Sequence, residues 1–195
     1  MALVYRLTRR IASREAALLA AATIGVSFLH VRDSHFATND VLMVTLVVAA
    51  VLQAVRYLDR PSAGNLFIAG ALAGAAAGAK YNGAIATASV AVALVVVTTV
   101  RQRRPALLVY GGAVCAVGTF VGFAASNPAV LLAPRHVLNG FLQASALDRA
   151  AFCCQSSRAV PLQMADATVL GIGACAVLAA IWGVVVALRT RPRAA

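Results

Sequence analysis

Apolar runs separated by short polar punctuation set the pattern of this chain. The first run, residues 16–29, is dominated by Ala and Leu. As a helix it would be about 21 Å long, so flanking residues must extend it through a hydrocarbon core of roughly 30 Å. Further runs cover 41–55, 66–100, 106–125 and 167–188. As one helix, 66–100 would measure about 52 Å, too long for an ordinary span. Its one polar interruption is Lys80-Tyr81-Asn82-Gly83, so the pattern predicts a break there and two helices, 66–79 and 84–100. Six spans follow, in an all-α, polytopic membrane helix bundle.

The rest of the chain divides around these runs. Residues 1–15 carry Arg6, Arg9, Arg10 and Arg14 among apolar neighbours and read as an interfacial lead-in. Residues 126–166 form a long connection in which 137–147 suit an interfacial helix, and 189–195 are a basic tail. The whole reads as a single membrane domain.

Composition agrees. The 195 residues are 62% hydrophobic and 12% charged, with a mean hydropathy of +0.86. A soluble domain has about 45–50% apolar and about 25% charged residues. The net charge of +11 comes from basic residues scattered in short groups between apolar runs. That spacing suits membrane orientation rather than nucleic-acid binding. With six spans, the N-terminus, Arg56–Arg60, Arg101–Arg104 and the C-terminal tail share one side, and it collects twelve of the seventeen Lys and Arg. The positive-inside rule makes that side cytoplasmic, in the plasma (inner) membrane. Four of the six acidic residues and all three His fall on the other side. Any chemistry is therefore expected to face outward.

The densest polar stretch is His30-Val31-Arg32-Asp33-Ser34-His35-Phe36-Ala37-Thr38-Asn39-Asp40. It is either a solvated connection or a site, because His and carboxylate together bind divalent metals or move protons. Asp40 opens the second run, where an acid also serves as a cap facing the positive end of the helix dipole. Lys80 follows a Gly70-x3-Gly74-x3-Gly78 run that permits close helix contact. It is either a snorkelling anchor or an anion ligand. Cys153 and Cys154 are adjacent, a poor geometry for a mutual disulfide, and the four Cys make no metal signature.

The same residues resemble a family. His30 to Asp40 at a span junction is similar to a signature of bacterial protein mannosyltransferases and aminoarabinose transferases, polytopic GT-C fold glycosyltransferases that use polyprenyl-phosphate sugars. Gly70-x3-Gly74-x3-Gly78-Ala79-Lys80-Tyr81-Asn82-Gly83 resembles a second signature, and the basic lead-in 4–10 and Ser126-Asn127-Pro128 fit in order. The resemblance implies that Asp40 helps hold a divalent metal, Mg or Mn, against the donor phosphate. It implies Lys80, with Arg32 and Tyr81, as donor-phosphate ligands, and Asp33 and His35 as catalytic or metal-supporting groups. Such enzymes carry an earlier span and an outer loop with a catalytic Asp. That part has no counterpart here, so the expectation is an N-terminally shortened member, with a separate chain as one source of the missing part.

Three functions are consistent with these residues. One is transfer of a sugar from a polyprenyl-phosphate lipid on the extracytoplasmic face. The second is a non-catalytic membrane subunit that binds lipid phosphate or a partner protein. The third, a small transporter, needs polar groups near the bilayer midplane, and here the charges cluster at span ends. Without the loop Asp, donor binding is expected to outlast transfer.

Overall fold

The computed structural model describes residues 1–154. Among them every regular element is helical and there is no strand. The order is α1 (Ala2–Thr8), α2 (Arg14–Val26), α3 (Phe28–His35), α4 (Asn39–Asp59), α5 (Ala63–Ala79), α6 (Ala86–Val95), α7 (Leu107–Ser126), α8 (Ala129–Leu132) and α9 (Pro134–Cys154). A 3-10 turn, Tyr81–Ile85, leads into α6, and a π-helical turn, Val96–Arg101, ends it.

Among the described residues three helical stretches are long and apolar enough to cross a membrane: Asn39–Asp59, Tyr81–Arg101 and Leu107–Ser126. The bent pair Arg14–Val26 and Phe28–His35 makes a fourth if it counts as one span. Ala63–Ala79 is apolar but only 17 residues long, about 25 Å of helix. The described residues thus supply three or four of the six expected spans. The last expected span, 167–188, and the basic tail lie outside the described residues.

The expected break at Lys80 is present. Lys80 leaves α5 in an extended conformation, φ −158° and ψ 135°, and the chain re-enters helix at Tyr81. Gly83 makes the return possible, because a Cβ there would run into the Ala76 carbonyl of α5. Two other regions differ from the sequence expectation. Residues 28–35 are helical, with a 56° bend after α2, where Ser27 takes an extended conformation. The described part of the connection after α7 is largely helix: α9 spans 21 residues, well beyond the expected 137–147. Pro134 takes its first position, where the missing N–H costs nothing. α1 packs along α2 and α4, and the Met1 side chain reaches Gly25.

α5 is the hub, packed against α4, α6 and α7. Its core is built mostly from small residues: Ala50 and Ala54 of α4, Ala69 and Ala73 of α5, and Ala86, Val90 and Ala93 of α6. The α5–α7 crossing is the tightest. A Cβ on Gly74 would overlap the Thr119 carbonyl, and one on Gly122 would overlap the Ala71 carbonyl. Backbones in that contact replace the bulky side chains of a soluble core, as small-residue packing in membranes does. Large apolar side chains instead point outward, among them Val109 at 81% exposure and Ile85 at 74%. Lipid is the natural solvent for that surface.

Candidate functional site

The N-terminal end of α4 and the C-terminal end of α5 meet, and their charges meet with them. Lys80 donates from Nζ to Asp40 Oδ1 at 2.6 Å. Both side chains are partly exposed, 39% and 44%. The pairing follows from the antiparallel α4–α5 arrangement. Asp40 sits in the first turn of α4, at the positive end of its dipole, and Lys80 caps α5 at the negative end of its own. Each charge is favoured by its helix before it finds the other.

The turn between α3 and α4 sets where Asp40 stands. Thr38 N–H bonds to the Asp33 carbonyl at 3.0 Å and Ala37 N–H to the Ser34 carbonyl at 3.3 Å. Ala37 takes φ 49° to close this turn, the left-handed helix stop usually given to Gly. Thr38 then begins α4 without a side-chain cap, and its buried Oγ1 has no hydrogen-bond partner among the described residues.

Beside the ion pair lies a cavity of about 430 Å³ between α1, α2, α3 and α4. Its walls are apolar, including Leu3, Val4, Ile24, Leu29, Val44 and Val48. Its polar groups are Ser27, His30, Asp33, Asp40 and Thr45. An apolar slot with a few convergent polar groups is the usual form of a small-ligand site.

The residues singled out from the sequence fall into two groups. Asp33 and Asp40 line the cavity, and Lys80 reaches it through Asp40. Arg32 pairs with Asp33, Nη2 to Oδ1 at 2.8 Å, and its guanidinium lies 6.0 Å from the Phe28 ring centroid. His35, exposed at the end of α3, is not among the lining residues, and its ring packs edge-on to Phe36. Tyr81 packs edge-on to Phe141 of α9 with ring centroids 6.5 Å apart, which ties α9 to the break after Lys80. One residue was passed over by the sequence reasoning. His30 lines the cavity with Asp33. The signal was available: a spacing of three places them on one face of a helix, but only if the stretch is helical.

No group of three His, Cys, Asp or Glu gathers in a metal-holding arrangement among the described residues. Asp40 is turned to an ammonium. The protein side chains alone therefore do not build a closed metal site here.

Apolar spans and a small-residue core, with every regular element helical among the described residues, mark an integral membrane protein. Residues 1–125 match the model of the dolichyl-phosphate-mannose-protein mannosyltransferase family. The match covers 125 of 195 residues and takes in the cavity, the Lys80–Asp40 pair and nearly all of the α5–α7 crossing. The chain belongs to that family of membrane glycosyltransferases. No curated protein and no solved structure matches it.

Proposed function

We propose that this chain binds a polyprenyl-phosphate sugar at the α4–α5 end and serves its transfer to an acceptor on the extracytoplasmic face. The observation that carries the reading is the Lys80–Asp40 pair beside an apolar cavity. The isoprenoid chain would lie against Val41, Val44 and Val48, and the phosphate would stand at the mouth. In the transfer, the bond from the anomeric carbon to the phosphate oxygen breaks and the lipid phosphate leaves with both electrons. The acceptor oxygen takes the carbon and gives up its proton.

Lys80 neutralises the leaving phosphate, and such a preplaced charge is the most effective help a protein can give this step. In the donor-free protein Asp40 holds it in position. A partly exposed pair is worth about 0–1 kcal/mol, so a phosphate can displace the carboxylate at little cost. Arg32 and Tyr81 flank this end as further phosphate contacts. Asp33 and His30 face the cavity as proton acceptors, and His35 lies outside it at the end of α3. The divalent metal that the family resemblance implies would take one or two carboxylates and complete its shell from donor phosphate oxygens and water, as Mg commonly does. Asp40 is the carboxylate that would hold it, once a donor phosphate has drawn Lys80 away.

A second reading has its own support. Both carboxylates at the cavity are already paired, Asp33 with Arg32 and Asp40 with Lys80. A non-catalytic subunit that only binds lipid phosphate needs no free base. The two readings separate in liposomes carrying the full chain and a labelled polyprenyl-phosphate mannose, with and without Mg. Donor binding that falls with Lys80→Ala, accompanied by transfer to an acceptor peptide, supports the enzyme. Binding without transfer supports the subunit. Binding indifferent to Lys80→Ala refutes both.

A further inference from the structure

The opposite end of the α4–α5 hairpin holds a second cavity, of about 460 Å³, lined by Arg10, Arg56, Asp59, Arg60 and Asn65. It lies about 28 Å along α4 from Asp40, at 1.5 Å per residue. We propose that this cavity is a binding site for a phosphate-bearing anion, with the headgroup of an anionic phospholipid as its natural occupant.

The cavity is built by a fixed polar network. Gln53, 6% exposed, donates from Nε2 to Asn65 Oδ1 at 3.1 Å and accepts from Arg56 Nη1 at 3.1 Å. Asn65 Nδ2 donates to the Arg60 carbonyl at 2.8 Å, which fixes the turn between α4 and α5. These bonds lock the backbone around Arg60 and the position of Arg56. Arg10 pairs with Asp59 across the cavity. The Arg60 guanidinium has no hydrogen-bond or ion-pair partner among the described residues. Three guanidinium groups thus face one carboxylate.

That imbalance selects the ligand. Guanidinium groups match phosphate geometry with paired N–H donors, and basic pockets between membrane helices take lipid headgroups. Asp59 is the built-in competitor, since it occupies Arg10 until a phosphate arrives. Exposed apolar side chains stand near it for acyl chains to cover, Ile11 next to Arg10 at 78% exposure and Ile68 of α5 at 48%.

The test is thermal unfolding of the full chain in neutral detergent micelles with phosphatidylglycerol, phosphatidylcholine or inorganic phosphate added. Phosphatidylglycerol should raise the melting temperature and phosphatidylcholine should not. Arg60→Ala should remove at least half of that rise, and Asp59→Asn should enlarge it. Arg135→Ala, a basic residue outside the cavity, should leave it unchanged. A rise produced equally by inorganic phosphate makes the occupant a free anion rather than a lipid. Equal effects of the two lipids, or an Arg60→Ala response no weaker than that of Arg135→Ala, would overturn the proposal.

Discussion

The two ends of α4 carry the same device with opposite consequences. Each ends in an aspartate paired with a cation from another element, Asp40 with Lys80 and Asp59 with Arg10. Asp40 stands in the first turn, where the helix dipole favours an anion, and Asp59 in the last, where it does not. At the Asp40 end the charges balance in pairs beside an apolar slot. At the Asp59 end arginines outnumber carboxylates, and Arg101 adds a donor to the Leu58 carbonyl nearby. A balanced end offers a cation to a ligand only when a pair opens. An unbalanced end attracts anions by itself and agrees with a membrane surface rich in them.

The largest expected effect breaks this comparison directly. Lys80→Ala should weaken binding of a polyprenyl-phosphate sugar by about 10–100-fold, the worth of one charge-assisted hydrogen bond of about 1.5–3 kcal/mol. Arg10→Ala, at the other end, should leave donor binding unchanged. Titration of labelled donor into proteoliposomes of each variant measures both. Equal losses would mean that the donor responds to overall charge and not to a site.

Much of this arrangement was legible in the sequence, and the reasons are local. Lys80-Tyr81-Asn82-Gly83 is the one polar break in a run too long for a single helix, so the break was fixed by length alone. A common end for Arg10, Arg56, Arg60 and Arg101 was expected from counting basic groups along alternating spans, and Arg10 meets Asp59 and Arg101 the Leu58 carbonyl at the end of α4 that carries Arg56 and Arg60. The pairing of Asp40 with Lys80 was accessible because both flank spans at the same end. What was not legible is the conformation of 28–35. A stretch with two His, an Arg and an Asp carries no apolar periodicity, so helix and loop read alike. The placement of His30 in the cavity and of His35 outside it depends on that helix. The helical character of 134–154 was half visible, because its polar residues hide a pattern of Leu138, Phe141 and Leu142 at spacings of three and four.

Helix caps sharpen the comparison at about 1 kcal/mol. At the basic end Ser62 begins α5 and its hydroxyl accepts from Asn65 N–H at 3.1 Å. Ser62→Ala should cost about 1 kcal/mol, the usual loss of a cap. At the other end Thr38 begins α4 without such a bond, and its Oγ1 is buried without a partner among the described residues. Thr38→Val should leave stability unchanged or raise it, because an unsatisfied hydroxyl is removed at constant shape. Chemical unfolding in mixed micelles reads both. A cost for Thr38→Val as large as that for Ser62→Ala would show that the hydroxyl has a partner in the membrane.

The smallest effect is also the one that isolates the helix dipole. Both aspartates are partly exposed, 44% for Asp40 and 50% for Asp59, so each ion pair alone is worth about 0–1 kcal/mol. Asp40→Asn loses its pair and the favourable interaction with the start of α4, each a few tenths of a kcal/mol, and should destabilise by about 0.5–1 kcal/mol. Asp59→Asn loses a pair of similar worth but relieves an anion at the end of the same helix, so the two terms oppose and the net should be near zero. The contrast must shrink as salt rises, since both terms are screened. Unfolding of the two variants at low and at high salt supplies the measurement. Equal destabilisation at low salt would mean that the partner cations, and not the helix, decide what each carboxylate contributes.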